Sequence, residues 1–424
     1  MESAKPHSLF NATIIICSLG YFVDIYDLIL FSIVRIPSLQ SIGVETSELM
    51  SKGVTLLNLQ MGGMLVGGLL WGIMGDRKGR VSVLYGSILL YSLANIANAF
   101  VTTYPAYAAL RFLAGVGLAG ELGAAVTLVS ELMPKARRGY GVALVASVGI
   151  LGAIFAAFVS EVFSWQTAYL VGGAMGLSLL VFRMKMKDSI LFETVRQTAA
   201  VQKGNFFMFF TSRERFLRYV SCIFIGAPNW FIIGVLVMFA PEITASLSPT
   251  EPILVAKGVG WLYLGLSLGD LASGFLSQWI GSRRKVVLLF LTMSAPVIYL
   301  YLTATSHGTL FYYALFFVLG ICNGYWAVMI TIAAEQFGTN LRATAATTVP
   351  NFVRAMVIPL TLSVQALHTQ MSLISSVAIV AVGCLITAYL ALYFLEETHG
   401  RDLNFLEGEP SSQSGACHAE GQKT

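Results

Sequence analysis

The sequence predicts an all-α membrane protein, with twelve transmembrane helices arranged as two parallel repeats of six. Three observations lead there. Of 424 residues, 56% are hydrophobic and 11% charged, whereas a soluble domain carries roughly 25% charged residues. The apolar residues gather into runs long enough to cross lipid, and the mean hydropathy is +0.75. The second half of the chain also echoes the first.

A helix crosses a bilayer in about 20 apolar residues, and backbone in lipid has to satisfy its own hydrogen bonds. Turn signals and charge clusters bound helices near 11–34, 53–75, 81–101, 105–133, 140–162, 165–183, 216–241, 255–280, 285–304, 309–335, 343–367 and 372–395. The strand-length alternation of a membrane barrel is absent. The first run contains Asp24 and Asp27. A signal-peptide core is shorter and lacks carboxylates, so this run reads as a retained span. The longest polar stretch, 184–215, divides the spans six and six and reads as a linker with a short amphipathic helix (Ile190, Leu191, Val195). The expected organisation is a bundle at 1–183, a linker at 184–215, a bundle at 216–407 and a disordered tail at 408–424, where apolar periodicity ends.

Orientation follows from charge. With both termini inside, 21 of the 26 Lys and Arg fall in inner segments and three (Arg35, Lys52, Lys257) in outer ones. The positive-inside rule therefore predicts cytoplasmic termini. Arg111 and Arg354 remain within spans.

Several chemistries are excluded. Cys17, Cys222, Cys322 and Cys384 lie in apolar runs and Cys417 in the tail, an odd set with no CxxC pair, so no disulfide framework or zinc site is expected. No His lies in an apolar run, and there is no HExxH motif and no Gly-Lys dipeptide for a phosphate-cradling loop. No metal, cofactor, nucleic-acid partner or enzymatic activity is expected.

The repeat spans half the chain. GGLLWGIMGDRKGRVSVLYGS (67–87) parallels SGFLSQWIGSRRKVVLLFLTM (273–293), and Glu131 and Arg138 align with Glu335 and Arg342 at an offset of 204. Six spans per copy give both copies the same orientation, as in rocker-type transporters with a substrate site at the interface of the halves.

Specific motifs accompany it. Gly72-x3-Asp76-Arg77-x-Gly79-Arg80 resembles the loop after the second helix of the major facilitator superfamily. Arg111-x3-Gly115-x-Gly117-x2-Gly120-Glu121, continuing to Glu131-x2-Pro134-x3-Arg138-Gly139, resembles the fourth-helix motif of its sugar and metabolite porters. Glu397-Thr398-x-Gly400-Arg401 resembles the segment after their last helix, and YFVDIYDLILF (21–31) the first helix of the metabolite:proton and aromatic-acid:proton symporters. The resemblance covers about 11–407. It departs at Ser282, which stands where the second loop copy would carry aspartate, and in the fifth helix, whose Gly141, Gly149 and Gly152 are not followed by the Gly-Pro of family exporters. The resemblance implies alternating access, with Asp27 on the first helix facing Arg111.

An ionisable side chain at membrane depth is costly and is a functional candidate by default. Asp24 and Asp27 share a helix face at i,i+3, and with Arg111 they form the expected proton-coupling group. Glu121 lies ten residues beyond Arg111, about 15 Å along a helix. It is expected to pair elsewhere near the inner leaflet or to relay protons. Arg354, between Pro350 and Pro359, reads either as a bidentate clamp for a substrate carboxylate or phosphate, or as the partner of Asp270. Gln60, Asn229, Trp230, Tyr263, Asn323, Tyr325 and Trp326 complete the expected substrate site. Asp76, Arg77, Arg80, Glu131 and Arg138, with Glu335 and Arg342 in the second half, are expected to gate the inner end. The sequence thus points to proton-coupled import of a small organic acid or zwitterion by a functional monomer in a bacterial-type inner membrane. Export by antiport and a non-transporting sensor are the alternatives.

Overall fold

Hydropathy and backbone hydrogen bonding resolve into helices throughout a computed structural model, which describes residues 12–134, 138–184, 205–245, 247, 253–305, 307–401 and 405–407. The first half holds α1 (Ala12–Ser41), α2 (Leu49–Lys78), α3 (Arg80–Asn98), α4 (Tyr104–Leu118), α5 (Glu121–Leu132), α6 (Arg138–Val162) and α7 (Trp165–Arg183). The second holds α8 (Arg213–Phe224), α9 (Ala227–Phe231), a π-helical stretch (Ile232–Val237) and α10 (Ala240–Ala245). It continues with α11 (Val255–Ile280), α12 (Arg283–Thr303), α13 (Thr309–Asn323), α14 (Trp326–Glu335), α15 (Arg342–Ala355), α16 (Val357–His368) and α17 (Leu373–Phe394).

Among the described residues, 11 helical stretches are long and apolar enough to cross a membrane. The span expected at 343–367 is present as α15 and α16, broken at Met356. Its hydropathy is held down by the buried Thr344, Thr347, Thr348, Asn351 and Arg354. The expected amphipathic linker helix at Ile190, Leu191 and Val195, and the tail at 408–424, lie outside the described residues.

Three spans expected to be continuous are interrupted: at 119–120 between α4 and α5, at 225–226 between α8 and α9, and at 324–325 between α13 and α14. The cause at 324 is a close helix crossing. A Cβ on Gly324 would lie 2.3 Å from the backbone of Gly269 on α11. At α9, Pro228 sits in the first turn, where its missing N–H costs nothing. The breaks at Gly120 and Gly324 are one repeat apart, so both copies bend at the same place.

Within the first half, α1 packs along α6 and α7, α2 along α4, and α3 along α7. The halves meet mainly where α6 runs against α11 and where α2 and α5 run against α15. Outward faces are apolar. Ile379, Val382, Ile386 and Leu390 form a stripe on α17, each at least 50% exposed, as expected of a lipid-facing helix surface.

Candidate functional site

Asp24 and Asp27 are both fully buried on α1, yet they face different partners. Asp24 reaches across the interface between the halves to Arg354 on α15, with Oδ2 3.5 Å from Nη2. Arg354 also donates to Asn351 Oδ1 (3.3 Å) and lies 5.9 Å from the Trp326 ring centroid. The expected alternative, pairing of Arg354 with Asp270, is not what forms. Asp270 Oδ1 instead accepts the Ala327 N–H (3.1 Å) at the start of α14, and its Oδ2 has no hydrogen-bond partner. The break before α14 supplies the donor, and the positive end of that helix suits a carboxylate.

Asp27 stays inside the first half. A Cβ on Gly172 of α7 would fall 2.1 Å from its Oδ1, so only glycine leaves room for the carboxylate there. Arg111 is its opposing charge, but the expected direct contact is replaced by Asn95. Arg111 Nη2 donates to Asn95 Oδ1 at 2.8 Å, and its guanidinium lies 4.9 Å from the Tyr169 ring and 5.9 Å from that of Phe31. Neither Asp27 oxygen has a hydrogen-bond partner.

Of the two readings for Glu121, pairing elsewhere is the one the geometry matches, although the pair is buried away from water. Arg183, at the end of α7, grips both of its oxygens and also donates to the Leu84 carbonyl (2.9 Å). Both side chains are fully buried. The sequence placed Arg183 with the polar inner cations, because a charge at the end of an apolar run reads as solvated.

Asn229, Trp230, Tyr263, Trp326 and Arg354 line a tight central cavity of ≈ 10 Å³, room for about one water. Tyr21 of the first half closes it and accepts a hydrogen bond from Trp326 Nε1 at 3.0 Å. Gln60, Asn323 and Tyr325 were expected beside them and serve the helices instead. Gln60 Nε2 lies 3.5 Å from the Leu28 carbonyl. Asn323 donates to the Asn229 carbonyl (3.2 Å) and the Tyr325 hydroxyl to the Ile225 carbonyl (2.9 Å). Tyr325 thereby satisfies an acceptor at the broken span, and Asn323 shares the Asn229 carbonyl with the Ile232 N–H.

The halves are tied at both ends. At the end rich in Lys and Arg, Asp76 accepts from the backbone N–H of Ala343 (3.2 Å) and Thr344 (2.8 Å) and from the Thr344 hydroxyl (2.6 Å), capping α15 from the opposite half. Arg80 pairs with Glu131 at 2.9 Å, and Arg342 of the second half approaches the same carboxylate at 3.8 Å. Glu335 of the second half also faces a loop arginine. Its partner is Arg283, at 2.7 and 2.8 Å. Arg77 is exposed, and the Arg138 side chain lies outside the described residues. At the other end Arg35 of α1 meets Glu242 of α10 at 3.5 Å, with Phe239 5.9 Å from the guanidinium. Arg35, Glu242, Arg283, Arg183, Asn95 and Tyr21 were not singled out from the sequence. The available signals were a lone Arg ending the first span and the position of Arg283 in the worn copy of the loop.

A repeated helical scaffold with spans long and apolar enough to cross a membrane, a small cavity between its halves and separate ties at its two ends is the architecture of a multi-pass membrane transporter. The pattern of the Major Facilitator Superfamily matches residues 17–355, and the chain belongs to that family of secondary transporters. The chain is similar to the 3-(3-hydroxy-phenyl)propionate transporter of Escherichia coli K12, 27% identical over 72% of this chain and 77% of that one. It is also similar to the niacin transporter NiaP of Acinetobacter baylyi, 32% identical over 44% of this chain and 42% of its length. Among solved structures, the proton:xylose symporter XylE matches with a TM-score of 0.72 at 16% identity, over 92% of this chain and 97% of XylE. That likeness concerns the fold. The superfamily and architecture implied by the motifs are therefore shown.

Proposed function

We propose that the protein imports a small organic acid by proton symport. The observation that carries this reading is the Asp24–Arg354 pair. It joins the two halves beside the central cavity at 3.5 Å, with Arg354 itself in the cavity wall. A substrate carboxylate offers Arg354 the bidentate geometry that its guanidinium fits best. Taking Arg354 leaves Asp24 without its counter-charge in a dry site, where an isolated carboxylate is expensive, and a proton neutralises it. Asp27, opposed by Arg111 through Asn95, is the second proton site. With the charges neutralised or paired, the halves rock. Asp76, Arg80, Glu131 and Arg342 tie one end and Arg35 with Glu242 the other, and these ties alternate. On this reading both termini face the cytoplasm, which the excess of inner Lys and Arg supports, and one chain suffices for transport. The relatives named above for niacin and for 3-(3-hydroxy-phenyl)propionate carry aromatic carboxylates, which supports an acid of that size. Glu121 is assigned no proton role because Arg183 occupies both of its oxygens.

Proteoliposomes with imposed gradients test this reading. Uptake of an aromatic monocarboxylate should rise with an inward proton gradient and collapse with an uncoupler. Accumulation only against an outward gradient would make the protein an exporter, and uptake indifferent to both would remove proton coupling.

A further inference from the structure

A crevice at the end of the second half plays no part in this cycle. Its volume is ≈ 630 Å³, against ≈ 10 Å³ for the central cavity. Arg284, Lys285 and Leu288 from the first turns of α12 form one wall, and Tyr389 and Tyr393 from the last turns of α17 form the other. Because α12 starts at Arg283 and α17 ends at Phe394, the crevice sits where both spans leave the membrane. Nearby aromatic exposure fits that level: Tyr393 is 77% exposed and Trp279 85%, as in the aromatic belts of membrane interfaces. Leu288 in the wall and Leu390 beyond it are 46% and 57% exposed and continue the crevice as a lipid-facing surface.

The charges in the crevice are unequal in what they have left to bind. Glu397 on the rim is already engaged by the Ser282 hydroxyl and by the backbone N–H groups of Arg283, Arg284, Thr398 and His399. Burial pushes its carboxyl up, but these hydrogen bonds outweigh burial and hold it below the usual carboxylate range. Arg284 spends Nη2 on the Leu392 and Tyr393 carbonyls at 3.1 and 3.3 Å. Its other N–H groups remain available. Lys285 has no side-chain hydrogen bond or ion pair among the described residues. A cationic, aromatic-walled crevice that opens toward lipid matches the recognition chemistry of an acidic headgroup.

We propose that this crevice is a binding site for an anionic glycerophospholipid. The phosphate lies against Lys285 and Arg284, the glycerol region lies against Tyr393, and an acyl chain follows Leu288. Occupancy would brace the turn that also delivers Arg283 to Glu335 (2.7 Å) within the second half.

The test uses the full chain purified in a neutral detergent, titrated separately with phosphatidylglycerol, phosphatidylcholine and inorganic phosphate. The readouts are thermal protection and the lipid adducts retained in native mass spectrometry. Phosphatidylglycerol should protect and remain bound, and phosphatidylcholine and phosphate should not. Lys285→Gln should weaken phosphatidylglycerol binding about fivefold, while Lys257→Gln in the first turn of α11, at the far end of that helix, should leave it unchanged. Arg284→Gln should weaken it further. Because Arg284 also ties α17, the Lys285 variant decides the matter if that one fails to fold. Equal binding of both lipids, protection by phosphate alone, or a Lys285→Gln protein that binds like wild type would each overturn the assignment.

Discussion

Glu121 and Asp24 are a matched pair of carboxylates. Each is fully buried, each lies within a span and each faces an arginine. Arg183 holds Glu121 by two hydrogen bonds, and both residues belong to the first half, so nothing in a rocking motion between the halves separates them. Arg354 meets Asp24 at 3.5 Å from the other half, and neither Asp24 oxygen is hydrogen-bonded. A charge pair that is fully satisfied within one rigid body is a structural element. A charge pair that is loosely held across a moving interface can change partners. Geometry of the partner, rather than burial or charge, separates the two roles.

The largest effect should come from breaking the fixed pair. Glu121→Gln leaves Arg183 as an uncompensated buried cation, which costs about 3–5 kcal/mol. Folded yield and melting temperature should drop sharply. Replacing both partners by methionine should recover most of that stability, and transport with it, because isosteric apolar packing often matches a buried ion pair. A stable double variant without transport would give Glu121 a proton role and erase the contrast with Asp24.

A smaller effect should follow from loosening the mobile pair. Arg354→Lys keeps the charge but loses the planar fork, so the Km for a carboxylate substrate should rise by a factor corresponding to about 1.5–3 kcal/mol. Melting temperature should change little. An unchanged Km would place the substrate elsewhere in the cavity. The smallest effect should be at the rim. Arg35→Gln removes a tie whose acid is 28% exposed, and a partly solvated pair is worth about 0.2–1 kcal/mol. The conformational equilibrium should shift a few-fold toward opening at that end, read as faster labelling of a cysteine introduced beside Glu242. No change in labelling would show that the Arg35–Glu242 tie does not hold that end closed.

The spans were legible because hydropathy is a property of consecutive residues, and the loop motifs because they recur at a fixed offset. Pro228, Pro350 and Pro359 signal bending near the breaks at 225–226 and 356, but the breaks at 119–120 and 324–325 carry no such signal. Gly324 interrupts its span because Gly269 approaches from another helix, and no local pattern encodes that approach. The site was half legible for the same reason. Asn229, Trp230, Tyr263, Trp326 and Arg354 were read as cavity residues from depth and polarity, and they do line the cavity. Asn323 and Tyr325 have the same depth and polarity and instead donate to the backbone carbonyls of Asn229 and Ile225 near the broken span. Ion-pair partners were the least legible feature. Arg183 finds Glu121 across 62 positions, and Arg354 finds Asp24 in the opposite half. Charge type and spacing cannot choose among such partners without the packing.

The claim that the first-helix acids carry the coupled proton is tested most directly by recording proton flux and substrate flux together in proteoliposomes, for wild type and Asp27→Asn. Wild type should move protons inward with substrate, and the variant should exchange substrate across the membrane yet neither accumulate it nor move protons. Undiminished proton-driven accumulation by Asp27→Asn would contradict the account.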